Sequence, residues 1–78
     1  MARSFPTTPV AALLRRMCLE QRIPMAELAD RVGLSFRTVR HCLEERMMRE
    51  STADRVACAL GRHPCELWPE WFSQRSPG

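Results

Sequence analysis

Apolar residues recur every three or four positions through most of this chain, which is the spacing of amphipathic α-helices. The first series begins at Pro9, a residue favoured in the first turn of a helix, and Pro24 cannot continue it. This pattern predicts a first helix over about residues 9–22. A second apolar series predicts another helix over about residues 25–32.

A glycine separates the second apolar series from the third. Gly33 can adopt the left-handed backbone conformation that ends a helix, and Ser35 is a favourable N-cap for the next one. The third predicted helix spans about residues 36–45, with Val39 and Cys42 on its inner side. Two helices joined by so short a turn form a helix-turn-helix.

Two shorter helices are predicted in the C-terminal half of the chain. Ser51 is expected to start the fourth helix and Gly61 to end it, and a fifth helix is expected to end before Pro69. No segment shows the alternation of a β-strand, so the predicted fold is all-α, with four or five helices in one compact domain. The predicted boundaries are an N-terminal arm at residues 1–8, a domain at 9–72 and a flexible tail at 73–78.

The charge of the chain favours a polyanionic partner without identifying it. The 78 residues carry a formal net charge of +3, and all twelve basic residues are arginine. A guanidinium group presents a planar array of donors that matches phosphates and the edge of guanine. An arginine-only composition can equally reflect a GC-rich genome, so charge alone does not establish nucleic-acid binding.

The cysteines and histidines do not form a recognisable catalytic or metal site. No C-x-x-C pair occurs, and we expect buried free thiols at the four cysteines, which are Cys18, Cys42, Cys58 and Cys65. A zinc site at His41, His63 and Cys65 is disfavoured by its spacing. We therefore predict no metal and no cofactor, and we do not expect an enzyme.

The chain shows no targeting or membrane-spanning segment. The N-terminal residues contain no apolar run of signal-peptide length, and nowhere do 18 apolar residues follow one another. We therefore expect a cytoplasmic protein that does not bind a membrane, which agrees with reduced cysteines.

The segment ELADRVGLSFRTVRHCLE, followed by STADRVACALG, resembles the lambda-repressor-like, Cro-type (XRE-like) helix-turn-helix family. The resemblance covers about residues 10–70, and its strongest part is Leu28, Ala29, Gly33 and Val39. It implies four or five helices around one core, with the third helix in the major groove of DNA. The family consists mainly of phage repressors, bacterial regulators and antitoxins.

The resemblance implies DNA contacts from the third helix and its surroundings. The expected base contacts lie at its start and on its outer face, at Phe36, Arg37, Arg40 and His41. An arginine can bind guanine through two hydrogen bonds, and an aromatic ring can pack on a thymine methyl group. Phe36 can instead fold back onto Leu34. The expected contacts to the DNA backbone are Ser35, Thr38, Arg22, Arg31, Arg46 and Arg49. Ser35 can instead serve as an N-cap alone, and each arginine can be a solvated surface residue.

The start of the second helix departs from the family pattern. Members often have Gln at the first position of the second helix, where it binds phosphate, whereas this chain has Pro24 and Met25. One anchoring contact is therefore expected to be missing, and the surrounding arginines are expected to replace it.

The C-terminal segment ELWPEWF offers a further surface. Its aromatic residues favour a homodimer interface at Trp68, Trp71 and Phe72, although Trp68 can instead complete the core of the monomer. The leading hypothesis is a sequence-specific, double-stranded DNA-binding transcriptional regulator, in particular a phage or bacterial repressor. The alternative is a protein-interaction module, such as an antitoxin or adaptor, that binds a partner chain through this segment.

Overall fold

A computed structural model of the chain describes residues 3–71. Helices α1, α2 and α3 pack on one another, while α4 packs on both strands of a small sheet and on α5. Within the described residues, no helix combines the length and apolarity needed to cross a membrane. The elements follow in the order β1 (Ser4–Pro6), α1 (Thr8–Gln21), α2 (Met25–Val32), α3 (Phe36–Glu44), β2 (Met47–Arg49), α4 (Glu50–Ala59) and α5 (Pro64–Leu67).

The sheet corrects two predictions, that the fold is all-α and that residues 1–8 form a separate arm. β1 and β2 run antiparallel, with Phe5 opposite Met48. Both of these side chains are buried, whereas the residues beside them in the strands lie nearer to solvent. A three-residue strand has one inward position, so no alternation is long enough to be recognised in the sequence. The described part of the predicted arm is therefore part of the domain.

The helices lie close to their predicted positions. Helix α1 begins at Thr8 with Pro9 in its first turn, and Arg22 ends it in the left-handed region at φ 55°. Helix α4 begins at Glu50, one residue before the predicted Ser51. The helical content of the fold was therefore predictable from local signals, whereas the sheet was not.

An aromatic cluster closes the end of the core beside the sheet. The ring centroid of Phe5 lies 4.6 Å from that of Trp71 and 5.6 Å from that of Trp68. The indole Nε1 of Trp68 donates a hydrogen bond to the Pro6 carbonyl at 2.8 Å. Because aromatic rings at these distances attract one another and bury a large apolar area, the cluster fastens β1 to the C-terminal end of the described chain.

Arg3 covers the aromatic cluster and links three parts of the fold. Its guanidinium carbon lies 5.1 Å from the ring centroid of Phe5 and 5.2 Å from that of Trp71. Its Nη1 donates to the Trp71 carbonyl at 2.8 Å, and its Nη2 forms an ion pair with Glu50. A guanidinium can stack on rings while its donors point outward in its own plane. One side chain therefore connects the N-terminal segment to α4 and to Trp71.

The burial of the tryptophans corrects the predicted dimer interface. Trp68 is 1% exposed and Trp71 is 6% exposed, because both pack against Phe5 within the same chain. Neither indole offers the exposed apolar surface on which the prediction depended. Phe72, the third residue of the predicted interface, and the tail at 73–78 lie outside the described residues.

The cysteines differ from one another in exposure. All four are free thiols, and Cys42 is buried as predicted, but Cys58 is exposed. Burial raises the pKa of the Cys42 thiol above its ordinary value, because desolvation disfavours the thiolate. In the part of the chain that the structure describes, no three His, Cys, Asp or Glu side chains converge to hold a metal ion.

Replacing Phe5 by alanine should lower the free energy of unfolding by about 3–5 kcal/mol, because the change leaves a cavity among buried aromatic rings. The matched control is Phe36→Ala, which truncates a side chain that is 48% exposed and should cost less than about 1 kcal/mol. Urea denaturation followed by circular dichroism measures the free energy of unfolding of both variants. Equal losses in the two variants would show that β1 does not contribute to the core.

The difference between Cys42 and Cys58 should be visible in their alkylation by iodoacetamide at pH 8. The thiolate is the reacting form, so a raised pKa and burial both slow the modification of Cys42. We expect Cys58 to be modified well before Cys42 in the folded protein, and at a similar rate in 8 M urea, as measured by peptide mass spectrometry. Rapid modification of Cys42 without denaturant would contradict the described packing.

Candidate nucleic-acid interface

Helices α2 and α3 form the helix-turn-helix that the sequence predicts. Leu28 and Ala29 on α2 and Val39 on α3 are almost completely buried in the core shared with α1. The methyl side chain of Ala29 allows the backbones of the two helices to approach closely, and the branched side chain of Val39 fills the crossing. The inner side of α3 is therefore fixed by packing.

Gly33 ends α2 in a Schellman motif. It adopts the left-handed conformation with φ 81°, and its N–H donates to the carbonyls of Ala29 and Asp30. The N–H of Leu34 donates to the Ala29 carbonyl at 2.9 Å, which is the second bond of the motif. A Cβ atom built on Gly33 meets no other atom within 4 Å. The position therefore favours glycine for its backbone conformation rather than for lack of space.

Ser35 caps the N-terminus of α3, as predicted. Its Oγ accepts a hydrogen bond from the Thr38 backbone N–H at 3.2 Å and lies 2.9 Å from the Thr38 hydroxyl. Leu34, just before it, is buried, whereas Phe36 leaves 48% of its surface exposed. The turn therefore covers the core with Leu34 and leaves Phe36 accessible at the start of α3.

The four predicted base-contact residues are all exposed on α3. Arg37 makes no hydrogen bond or ion pair within residues 3–71, so its donors are accessible. Arg40 pairs with Glu44, one turn along the helix, at 3.4 Å. The His41 Nε2 lies 3.2 Å from the Met47 carbonyl, which connects the exposed side of α3 to β2.

Two adjoining clefts, of about 190 and 450 Å³, lie beside the exposed face of α3. We call them together the α3–α4 cleft. Both clefts are lined by His41 of α3 and Thr52 of α4. Arg37 and Thr38 complete the smaller cleft, and residues of β1 and β2 complete most of the larger one. The second cleft is lined by Ser4, His41, Met47, Met48, Arg49 and Thr52.

The α3–α4 cleft includes two residues that the sequence analysis did not select. Ser4 and Thr52 lie 48 positions apart along the chain, and the pairing of β1 with β2 brings both to the edge of α3. No local signal identifies them, because their position depends on strand pairing between distant segments. The predicted backbone contact Arg49 lies in the same cleft.

The other predicted backbone contacts lie elsewhere on the surface or already have partners. Arg31 forms an ion pair with Glu27 at 2.7 Å and a hydrogen bond to Gln21. Arg46 lines a separate cleft that also contains Arg15 of α1. Arg22 is exposed at the end of α1. The structure therefore brings Arg49, but not Arg46, together with the exposed face of α3.

An arginine-bearing exposed face on the second helix of a helix-turn-helix is the arrangement of DNA-binding domains. A family model described as winged helix-turn-helix DNA-binding matches residues 9–77, and the chain belongs to this family. No curated protein and no solved structure gives a significant match. The family match confirms the helix-turn-helix class inferred from the sequence, but it is not specific to the Cro-type family.

The left-handed conformation of Gly33 can be tested by two substitutions. Gly33→Ala should lower the free energy of unfolding by about 1–2 kcal/mol, because a Cβ atom disfavours this conformation. Gly33→Asn should cost less, since asparagine tolerates it better. Urea denaturation measures both variants. An equal loss for alanine and asparagine would show that the backbone conformation is not the constraint.

Proposed function

We propose that this protein is a transcriptional regulator that binds double-stranded DNA sequence-specifically, with α3 in the major groove. The observation that carries this proposal is the exposure of Phe36, Arg37, Arg40 and His41 on the second helix of the helix-turn-helix. The opposite side of α3 is held in the core by Val39 and Cys42. The exposed residues are thus presented by a helix whose orientation is fixed.

The two arginines of α3 are the proposed base-reading residues. Arg37 has no partner among residues 3–71 to give up when it binds, and it can bind guanine O6 and N7 through two hydrogen bonds. Arg40 must exchange its contact with Glu44, but both side chains of that pair are about 59% exposed, so the pair adds little stability. Phe36 is proposed to pack on a thymine methyl group, and Ser35 and Thr38 to bind the phosphate backbone near the start of α3.

The finer assignment also belongs to this proposal. We propose a bacterial or phage regulator that acts as a repressor in the cytoplasm, as the Cro-type resemblance implies, and a binding protein rather than an enzyme. Arg22, Arg31 and Arg46 are proposed as additional phosphate contacts toward the edges of the interface. We do not extend the proposal to a dimer or a partner chain bound through Trp68 and Trp71, because both side chains are buried.

The double variant Arg37→Ala, Arg40→Ala tests the proposal. Each lost bidentate contact is worth about 1–3 kcal/mol, so affinity for a duplex selected from a random pool should fall by roughly 30-fold or more. Fluorescence anisotropy at constant salt measures the dissociation constant. The specificity of the remaining binding should also fall, because phosphate contacts carry no sequence information.

The matched control is Arg16→Ala, Arg62→Ala. It removes the same charge from two arginines that are each paired with a glutamate four residues further along the chain, as Arg40 is, and that together line the cleft between α1 and α5. This control should reduce affinity only a few-fold. Equal losses of affinity in the two double variants would show that binding depends on net charge and would contradict the assignment of α3 as the DNA-reading helix.

A further inference from the structure

We propose that the α3–α4 cleft binds one phosphate group of the DNA backbone and that His41 binds it as the imidazolium ion, so that DNA binding takes up a proton. This inference rests on the proposed function and adds to it a pH-dependent contact. It also extends the DNA-binding surface beyond the helix-turn-helix to Thr52 of α4.

The contact between His41 and β2 determines which ring nitrogen is available. The Nε2 atom lies 3.2 Å from the Met47 carbonyl oxygen, and a carbonyl oxygen can only accept a hydrogen bond. The proton of the neutral ring therefore resides on Nε2, and Nδ1 carries a lone pair. A phosphodiester oxygen is also an acceptor, so Nδ1 can bind it only after the ring has gained a second proton.

The α3–α4 cleft supplies the other groups that a phosphate needs. Arg49 contributes a guanidinium group, and Thr38 and Thr52 contribute hydroxyls. Within residues 3–71, no carboxylate lines either part of the cleft. A phosphate of the DNA backbone would supply an anion beside Arg49 and the protonated His41.

The charged residues on the elements around His41 are consistent with a phosphate bound in the cleft. On α3, the neighbouring charged residues are Arg37, Arg40, Glu44 and Glu45, and Glu44 is already paired with Arg40. On β2 the charged residue beside it is Arg49. The residues that α4 and β1 place in the cleft, Thr52 and Ser4, are uncharged.

The experiment measures affinity for a selected duplex at pH 6, 7 and 8 at constant ionic strength. Because Nδ1 can donate to a phosphate only when the ring is protonated, binding should weaken as the pH rises, with a slope of up to about tenfold per pH unit. We expect this slope for the unaltered protein. Calorimetry at pH 7 in buffers of different ionisation enthalpy should show net proton uptake on binding.

Three variants assign the proton to the cleft. His41→Gln can still donate a hydrogen bond to the Met47 carbonyl but cannot be protonated, so its affinity should not change with pH. Thr52→Val should weaken binding at every pH and keep the slope. The control is His63→Asn, which replaces the other histidine by a residue that can still cap α5, and it should keep the slope. Circular dichroism verifies that each variant is folded.

The possible outcomes separate this inference from the proposed function. A flat pH profile for the unaltered protein, or a slope that persists in His41→Gln, would overturn the inference while leaving DNA binding intact. Loss of the slope in His63→Asn would show that the proton binds at His63 and would also overturn the inference. Failure of the unaltered protein to bind any duplex at any pH would instead overturn the proposed function.

Discussion

Phe5 is the residue on which the arrangement of this small fold most depends. Its ring packs against two tryptophans that lie more than 60 residues further along the chain, and its backbone pairs with β2. Because β2 connects α3 to α4, the packing of Phe5 also determines where the start of α4 lies relative to the exposed face of α3. The packing of Phe5 thereby contributes to the shape of the α3–α4 cleft.

Helix α3 combines a structural and a functional surface in nine residues. Its inner positions are filled by Val39 and Cys42, which are completely buried. Its exposed positions carry an aromatic ring, a guanidinium group that has no partner in the described part of the chain, and an imidazole bound to β2. Water offers no partner for an exposed aromatic ring beside these polar groups. The grooves of a nucleic acid offer apolar methyl groups, guanine edges and phosphates together. The composition of the exposed face is thus better explained by a ligand than by solvent.

The sequence predicted what depends on neighbouring residues and missed what depends on distant ones. The end of α2 at Gly33 and the cap at Ser35 follow from local backbone chemistry, so the helix-turn-helix and its exposed face were both predictable. β1 was not predictable, because Phe5 is the one inward residue of a three-residue strand. Thr52 and Ser4 were missed because the pairing of two distant segments, β1 and β2, brings them to α3. The tryptophans were assigned to an interface because aromatic composition does not reveal which ring of the same chain will cover them.

The contacts of Arg3 and Trp68 with residues at the other end of the described chain also constrain the order of folding. Hydrogen bonds between Arg3 and Trp71 and between Trp68 and Pro6 join residues 68 and 62 positions apart, whereas α2 and α3 contact each other across a short turn. Local contacts close small loops quickly, and distant ones close slowly. During refolding, α2 and α3 can therefore pack together before Phe5 meets its aromatic partners. The helix-turn-helix can thus form first, and the N-terminal strand closes the fold last.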